Sequence, residues 1–394
     1  MYSLLLVIIY IAFVSLGLPD SLLGAAWPAI RGEMNVPISF AGTVTMIIAG
    51  GTIVSSLLSE RLTKKFKTQR VTLVSVLLTA AALMGFSIST KFWMLCMFAI
   101  PYGLGAGAID AALNNYVALH YSSRHLSWLH CFWGLGAMIS PYIMSYAITH
   151  SIWNDGYRYV AFIQFGIVFI LAVTLPLWTK GTSAESCRDG GEIIGIGKAI
   201  KIKGVPTVLV GFFAYCAAEA TTMVWASSYF VEARNVHQST AASYGSLFFI
   251  GITTGRFING FITDKFGDRK MIRIGTGIIM AGLICVALPV KPIIPAVAGF
   301  VLLGLGCAPI YPCIIHSTPG NFGKNNSQVI IGIQMASAYV GSTFVPPLFG
   351  ILGQHIGLKI LPFYCLIFFI LMIFMTERTF NVVRRSRRCN VKRF

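Results

Sequence analysis

Charged residues are scarce in this chain, at 11% of its 394 residues against about 25% in soluble domains. A chain of this length can close one or two soluble cores, but it has too little charge to cover them, so water is not its main solvent. Acids are scarcer still. Thirteen Asp and Glu against thirty Lys and Arg leave a net charge of +17, which in a soluble protein points to nucleic acid or acidic partners. Nearly all the bases, however, lie in short stretches between apolar segments, and none interleaves aromatic with basic residues as a base-stacking surface does, which excludes nucleic acid. The nine cysteines are scattered singly, with neither the paired spacing of a zinc site nor a disulfide framework. No Lys or Arg precedes Arg31, so the basic start of a signal peptide is missing and the first apolar run reads as a membrane helix. Phosphate-loop, zinc-protease, nucleophile-elbow and kinase patterns are all missing, and neither a catalytic residue, a metal nor a cofactor is expected.

What the chain has instead is apolar length: 56% of its residues are apolar and the mean hydropathy is +0.75. A hydrocarbon core about 30 Å thick needs about 20 apolar residues per helix. Cutting the chain wherever charge or turn residues cluster gives twelve segments, 3–30, 38–60, 70–90, 92–119, 127–149 and 157–179, then 205–231, 240–263, 271–290, 293–316, 327–353 and 357–376. The fold class expected is all-α and integral to the membrane, twelve transmembrane helices in two pseudo-symmetric six-helix bundles. The bundles are expected at 1–179 and 205–377, with a cytoplasmic linker at 180–204 and a basic cytoplasmic tail at 378–394. Loops after even-numbered segments, with the tail, hold twenty-three of the thirty Lys and Arg, and loops after odd-numbered segments hold six. Positive residues are retained in the cytoplasm, so both termini are expected there, in a multi-pass protein of the plasma membrane, or of the inner membrane in a bacterium.

The two halves echo each other. The loop after the second segment carries Ser56, Glu60, Arg61, Lys64 and Lys65; the loop after the eighth carries Gly260, Asp264, Lys265, Gly267, Arg269 and Lys270. The fourth and tenth segments share Gly-Leu-Gly, at 103–105 and 304–306, and Pro141 and Pro346 fall at similar depths in the fifth and eleventh. Repetition around a central linker marks a transporter built from two related halves.

The run GFITDKFGDRK, Gly260 to Lys270, resembles the loop signature of the major facilitator superfamily, with Asp268 as an extra acid before Arg269. The first-half copy has Ser56 for the first Gly and Thr63 near the place of the second. The resemblance implies a conformational latch at Glu60, Arg61, Gly260, Asp264, Lys265, Arg269 and Lys270. The small residue lets helices approach closely, and the acid accepts hydrogen bonds or pairs with a base in one state. Asp264 with Lys265, Arg269 and Lys270 is expected to close the cytoplasmic side. The runs GLPDSLLGAAWP (17–28), GLGAGAIDAALNNY (103–116) and LHCFWGLGAMISP (129–141) are similar to the fucose-permease-like group of sugar porters. That resemblance implies proton coupling and sugar binding by an acid in the first helix and an acid followed four residues on by Asn in the fourth. Asp20 and the pair Asp110 and Asn114 stand at those places, and His130 stands near the amide or polar residue the group uses in its fifth helix.

Intramembrane acids cost at least about 2.5–3.5 kcal/mol when ionised, so Asp20, Asp110 and Glu219 each call for a role. At 3.6 residues per turn, Gly103, Ala106, Asp110 and Asn114 share one face, and His130, Gly134, Ala137 and Pro141 share another with Trp133 beside it. Asp20, Gly24 and Trp27 align in the first helix, and Tyr215, Glu219, Thr222 and Ala226 in the seventh, with Trp225 adjacent. The expected substrate-binding set is Trp27, Asp110, Asn114, His130, Trp133, Tyr215 and Gln334, and the expected proton-coupling set is Asp20, Asp110 and Glu219. Aromatic faces stack on pyranose C–H groups while amides and acids bind hydroxyls. Asn259 and Tyr311 are cavity-lining candidates that read first as helix-packing residues, and Arg256 reads either as the partner of an acid or as a base reaching toward the cytoplasmic headgroups. Three functions fit: proton symport of a small polar solute, above all a sugar; proton-driven efflux of lipophilic or drug-like compounds; and a solute receptor that moves nothing. The short linker and tail leave little to carry a receptor's signal. The partners expected are the small-molecule substrate, protons and membrane lipid, and the chain is expected to be a monomer.

Overall fold

The computed structural model describes residues 2–37, 40–181, 194–290 and 293–391. Residues 182–193 of the expected linker, Lys291 and the last three residues of the tail lie outside them. Proline sets the first feature of the chain path. The first expected segment is two helices, α1 (Tyr2–Gly17) and α2 (Leu22–Met34), because Pro19 lacks the N–H that a continuous helix needs. Short turns from Asp20 N–H to Gly17 O and from Leu22 N–H to Pro19 O, both 3.2 Å, bridge the break and leave Asp20 at a helix interruption.

The second and third expected segments run on as α3 (Phe40–Ser87), bent at Lys67, where φ is 65° and ψ 153°. Thr63, read as the near-counterpart of the second loop glycine, is still helical, with its hydroxyl on Ser59 O at 2.7 Å. The turn comes one helical turn later, at Lys67. Gly267 makes the matching turn in the second half at φ 77°, ψ 156°. That region is open to glycine and costs other residues on the order of 1–3 kcal/mol.

The remaining helices are α4 (Phe92–His120), α5 (Ser123–His150), α6 (Trp153–Gly181), the short α7 (Ile196–Ile200), α8 (Val205–Ser228) with a π turn at Tyr229–Ala233, α9 (Gln238–Phe266), α10 (Asp268–Ala287), α11 (Ile294–Cys307), α12 (Ile310–Phe322), α13 (Lys324–Ile356) and α14 (Leu361–Val391). The tenth expected segment is split into α11 and α12 beside Pro309. Among the described residues ten runs are long and apolar enough to cross a membrane. One of them, the 48-residue α3, makes two crossings, and α9, rich in Ser, Thr and Gly, makes the twelfth.

The helices group into two compact units, Met1–Tyr116 with Leu129–Ile194, and Val117–Trp128 with Gly195–Phe394. The end of α4 and the start of α5 therefore pack with the second unit. The first unit has an apolar cluster that includes Leu22, Phe86, Tyr102, Trp153 and Tyr157. A polar clasp joins three of its helices, from Thr79 Oγ1 to Gln164 Oε1 (2.9 Å) and from Gln164 Nε2 to Ser15 O (2.6 Å).

The repeated Gly-Leu-Gly serves close helix approach in both units. A Cβ on Gly103 would lie 2.2 Å from Ile48 O, on Gly107 2.1 Å from Thr52 O, and on Gly304 2.3 Å from Phe248 O. No side chain fits at those distances without helix displacement. Gly107→Leu is therefore expected to lower the unfolding midpoint of the purified protein or abolish its monodisperse peak, with overpacking of about 1–3 kcal/mol or more. A variant eluting and melting like the parent would show that α3 and α4 tolerate separation.

Candidate functional site

In the first unit the helix break at Pro19 presents Asp20 with an exposed carboxylate. Tyr102 of α4 donates its hydroxyl to Asp20 Oδ1 at 2.9 Å, and Trp133 of α5 donates its indole N–H to Oδ2 at 2.8 Å. Both donors are neutral. Each bond to a charged acceptor contributes about 1.5–3 kcal/mol, which orients the carboxylate without cancelling its charge. The indole of Trp133 is half-buried beside it, a polar tip with a broad apolar face.

Further along α4, Asn114 donates its Nδ2 to Asp110 Oδ1 at 2.7 Å and to Asp110 O at 3.0 Å. That use of the amide nitrogen leaves Asn114 Oδ1 as an acceptor, so His130 of α5, 3.0 Å away through Nε2, carries its proton on that nitrogen. Asp110, Asn114 and His130 are all buried. The result is a hydrogen-bonded chain of carboxylate, amide and imidazole, closed on one side by the edge-on ring of Phe13, 5.5 Å from the imidazole.

Trp27 does not join this group. It lies in the apolar cluster with Phe86, Tyr102, Trp153 and Tyr157, because it sits on α2, beyond the break at Pro19, where the face shared with Asp20 in a continuous helix is lost.

The second unit is built differently. Glu219 of α8 meets Arg256 of α9 at 3.3 Å, with side chains 13% and 5% exposed. Arg256 thus turns inward rather than reaching toward headgroups, since a buried acid one helix away compensates its charge. Tyr215, one turn before Glu219, donates to Cys307 O at 2.9 Å at the junction of α11 and α12. Gln334 of α13 is fully buried and accepts the Thr318 hydroxyl at 3.0 Å, so it ties α13 to α12. The acids expected to be equivalent therefore sit in unlike surroundings: Asp20 among neutral donors, Glu219 against a guanidinium.

The signature loop also departs from the expected partners. Asp264 meets Arg124 at 3.5 Å and accepts the Ser122 hydroxyl at 2.9 Å and the Arg124 N–H at 3.2 Å. Its cation is Arg124 rather than Lys265, Arg269 or Lys270. Asp268, the extra acid, accepts from Ser123 Oγ at 2.7 Å and lies 2.7 Å from His316 Nδ1. Arg269 bonds Glu377 of α14 at 2.5 Å, and Arg273 bonds the same carboxylate at 2.6 Å. Gly260 faces the Trp128 indole, where a Cβ would come within 1.8 Å of Nε1. In the first unit Glu60 is buried, pairs with Lys64 at 3.0 Å and accepts the Ile194 N–H at 3.3 Å; Arg61 is exposed.

The residues that sequence reasoning missed are Tyr102, Ser122, Ser123, Arg124, Trp128, His316 and Glu377. Of these only Glu377 left a signal, as one of thirteen acids; the extra acid Asp268 called for partners without naming them.

The comparisons with known proteins agree in kind. A family model described as Major Facilitator Superfamily matches residues 9–194 and 207–392. Bypass of stop codon protein 6 of Saccharomyces cerevisiae is 22% identical, with 90% of this chain and 78% of that protein covered. The glucose/mannose transporter GlcP of Bacillus subtilis is also 22% identical, covering 86% of each. Among solved structures, FucP in the outward conformation shares 16% identity at a TM-score of 0.77, over 95% of this chain and 98% of that one. The proton:xylose symporter XylE with a bound bromo-deoxyglucose shares 12% at 0.77, over 96% and 95%. With a family model spanning both halves and the fold to match, the chain belongs to the major facilitator superfamily and is a multi-pass membrane transporter rather than an enzyme.

Proposed function

We propose that this transporter moves a small polar solute, a sugar, together with a proton by alternating access. One observation carries the reading: Asp20 is an exposed carboxylate held by two neutral donors, one of them an indole, on the same two helices as a buried Asp110–Asn114–His130 chain. A carboxylate without a paired base can take up and release a proton at low cost in rearrangement, whereas a salt-bridged one must first break its pair. The Trp133 face suits pyranose C–H groups, and Asp110 and Asn114 suit hydroxyls. The relatives support the solute class: GlcP is named a glucose/mannose transporter and XylE a proton:xylose symporter.

The test is uptake into proteoliposomes by purified protein, across a panel of monosaccharides, polyols and cationic drugs, with and without an inward proton gradient. Symport is expected to give gradient-driven accumulation of a monosaccharide and alkalinisation outside. Proton-driven expulsion of preloaded cationic drugs under the same inward gradient, with no sugar response, would overturn the reading in favour of efflux.

The signature loop serves this cycle as a latch. The chain leaves the first unit at Tyr116 and returns to it at Leu129, so the bonds from Asp264 to Ser122 and Arg124 tie a segment continuous with α4 and α5 to the start of the α9–α10 turn. Asp264→Asn is expected to slow transport several-fold while leaving solute affinity, measured by equilibrium binding, within a few-fold of the parent. Unchanged transport rates would reduce the loop to a topological role.

A further inference from the structure

At the membrane face that carries most of the bases, the second unit contains a cavity of about 680 Å³ that the transport cycle described above does not use. Four cationic side chains line it: Arg269, Lys270 and Arg273 from the first turns of α10, and Lys324 from the start of α13. The acids nearby are already engaged. Asp268 is held by Ser123 and His316, and Glu377 is shared by Arg269 and Arg273. One carboxylate between two guanidiniums leaves Lys270 and Lys324 as excess positive charge. Arg269 keeps its Nε buried and without a hydrogen-bond partner among the described residues, a donor that an oxygen-rich ligand satisfies. Both α10 and α13 begin at the rim, after Gly267 and Gly323, so two helix dipoles add to the same positive field. Apolar side chains complete the lining, Phe266 and Phe380 among them, with the Arg269 guanidinium over the Phe380 ring.

We propose that this cavity binds a phosphate group, carried either by a membrane lipid headgroup or by a soluble phosphate compound. Phosphate offers several acceptors to donors that are already clustered, and a guanidinium and ammonium set matches its charge. The apolar walls give the acyl side of a lipid headgroup somewhere to lie, and basic pockets between helices on this face of a membrane suit anionic lipids. Its occupant touches Arg269, whose neighbour Asp268 holds Ser123, so binding here bears on the same turn that Asp264 grips.

The test reads binding alone and does not depend on which solute is carried. Thermal unfolding of the full chain in detergent is followed while phosphatidylglycerol, phosphatidylcholine or inorganic phosphate is added at matched ionic strength. Phosphatidylglycerol is expected to raise the midpoint and phosphatidylcholine to leave it unchanged. In Lys270→Gln/Lys324→Gln, two exposed positions, the half-saturating concentration should rise roughly 30-fold, since each base near an anionic headgroup contributes a factor of about five. The control Lys65→Gln/Lys67→Gln, with its bases outside the cavity, should respond like the parent. A midpoint raised by inorganic phosphate, with no further rise on adding phosphatidylglycerol, would confirm the site and assign it to soluble phosphate compounds. Equal responses in the parent and the cavity variant, or an equal loss in the control, would overturn the proposal.

Discussion

Asp20→Asn is expected to abolish uphill solute accumulation while leaving solute exchange intact. In the structure the Asp20 carboxylate accepts from Tyr102 and Trp133 and is exposed, and an asparagine keeps one acceptor and the same shape. What it loses is the exchangeable proton. With one proton per solute, a gradient of one pH unit sustains about tenfold accumulation, because each pH unit is worth about 1.4 kcal/mol. The variant should fall to a ratio of one at every external pH. Exchange needs no net proton movement, so counterflow of labelled against unlabelled solute should continue within a few-fold of the parent. Asp110→Asn is expected to behave differently, since it alters the acceptor that orients Asn114 and, through it, His130: solute binding itself should weaken, in counterflow as well as in uptake. Accumulation by Asp20→Asn with the parent's pH dependence would remove the proton-carrier role and favour another ion or uniport.

The second large effect concerns stability. Replacing Arg256 by Gln leaves Glu219 buried and uncompensated, and removing one partner of a buried pair costs about 3–5 kcal/mol. Arg256→Gln should therefore melt well below the parent or fail to accumulate in membranes. Glu219→Gln removes the carboxylate that Arg256 bonds and should lower the midpoint as well. Glu219→Gln/Arg256→Gln removes both charges of the pair and should recover most of the midpoint, because no charge is then left inside the protein without its partner. Additive losses in the double variant, read from a thermal-melt cycle of all four proteins, would show that the two residues act independently and that their proximity contributes nothing.

The contrast between these two acids is where the sequence reached its limit. Asp20 and Glu219 look equivalent along the chain, each on an apolar helix with a tryptophan close by, and helical periodicity places both on polar faces. Periodicity relates a residue to its own helix only. It says nothing of which neighbouring helix supplies a partner, so Arg256 stayed open between an acid and the headgroups and Tyr102 went unnoticed. The same limit affected Trp27. Its alignment with Asp20 assumes an unbroken helix, and the break at Pro19 removes that assumption. Gln334 reads as a cavity residue from its polarity, yet it is fully buried and its amide oxygen accepts from Thr318 of the preceding helix.

By contrast, Asp110, Asn114 and His130 were legible because their main link is local: Asn114 follows Asp110 by four residues, and that spacing alone stacks the two side chains on one helix.

By itself, the sequence determined the solvent, the number of crossings and the presence of two related halves. Each follows from how many apolar residues run between charges, and that quantity is written along one dimension. The glycines at 103, 107 and 304 are written in the sequence too, although which helix crosses at each of them is not. Tertiary structure alone decided which charges are paired. Asp264 found Arg124, Asp268 found Ser123 and His316, Arg269 and Arg273 shared Glu377, and Glu219 met Arg256, while Asp20 received only neutral donors. Coulomb and hydrogen-bond terms act over a few ångströms in space, between residues as far apart along the chain as Ser123 and Asp268, 145 positions. Only the packing of helices, set by glycine contacts and proline breaks, brings such residues within that range.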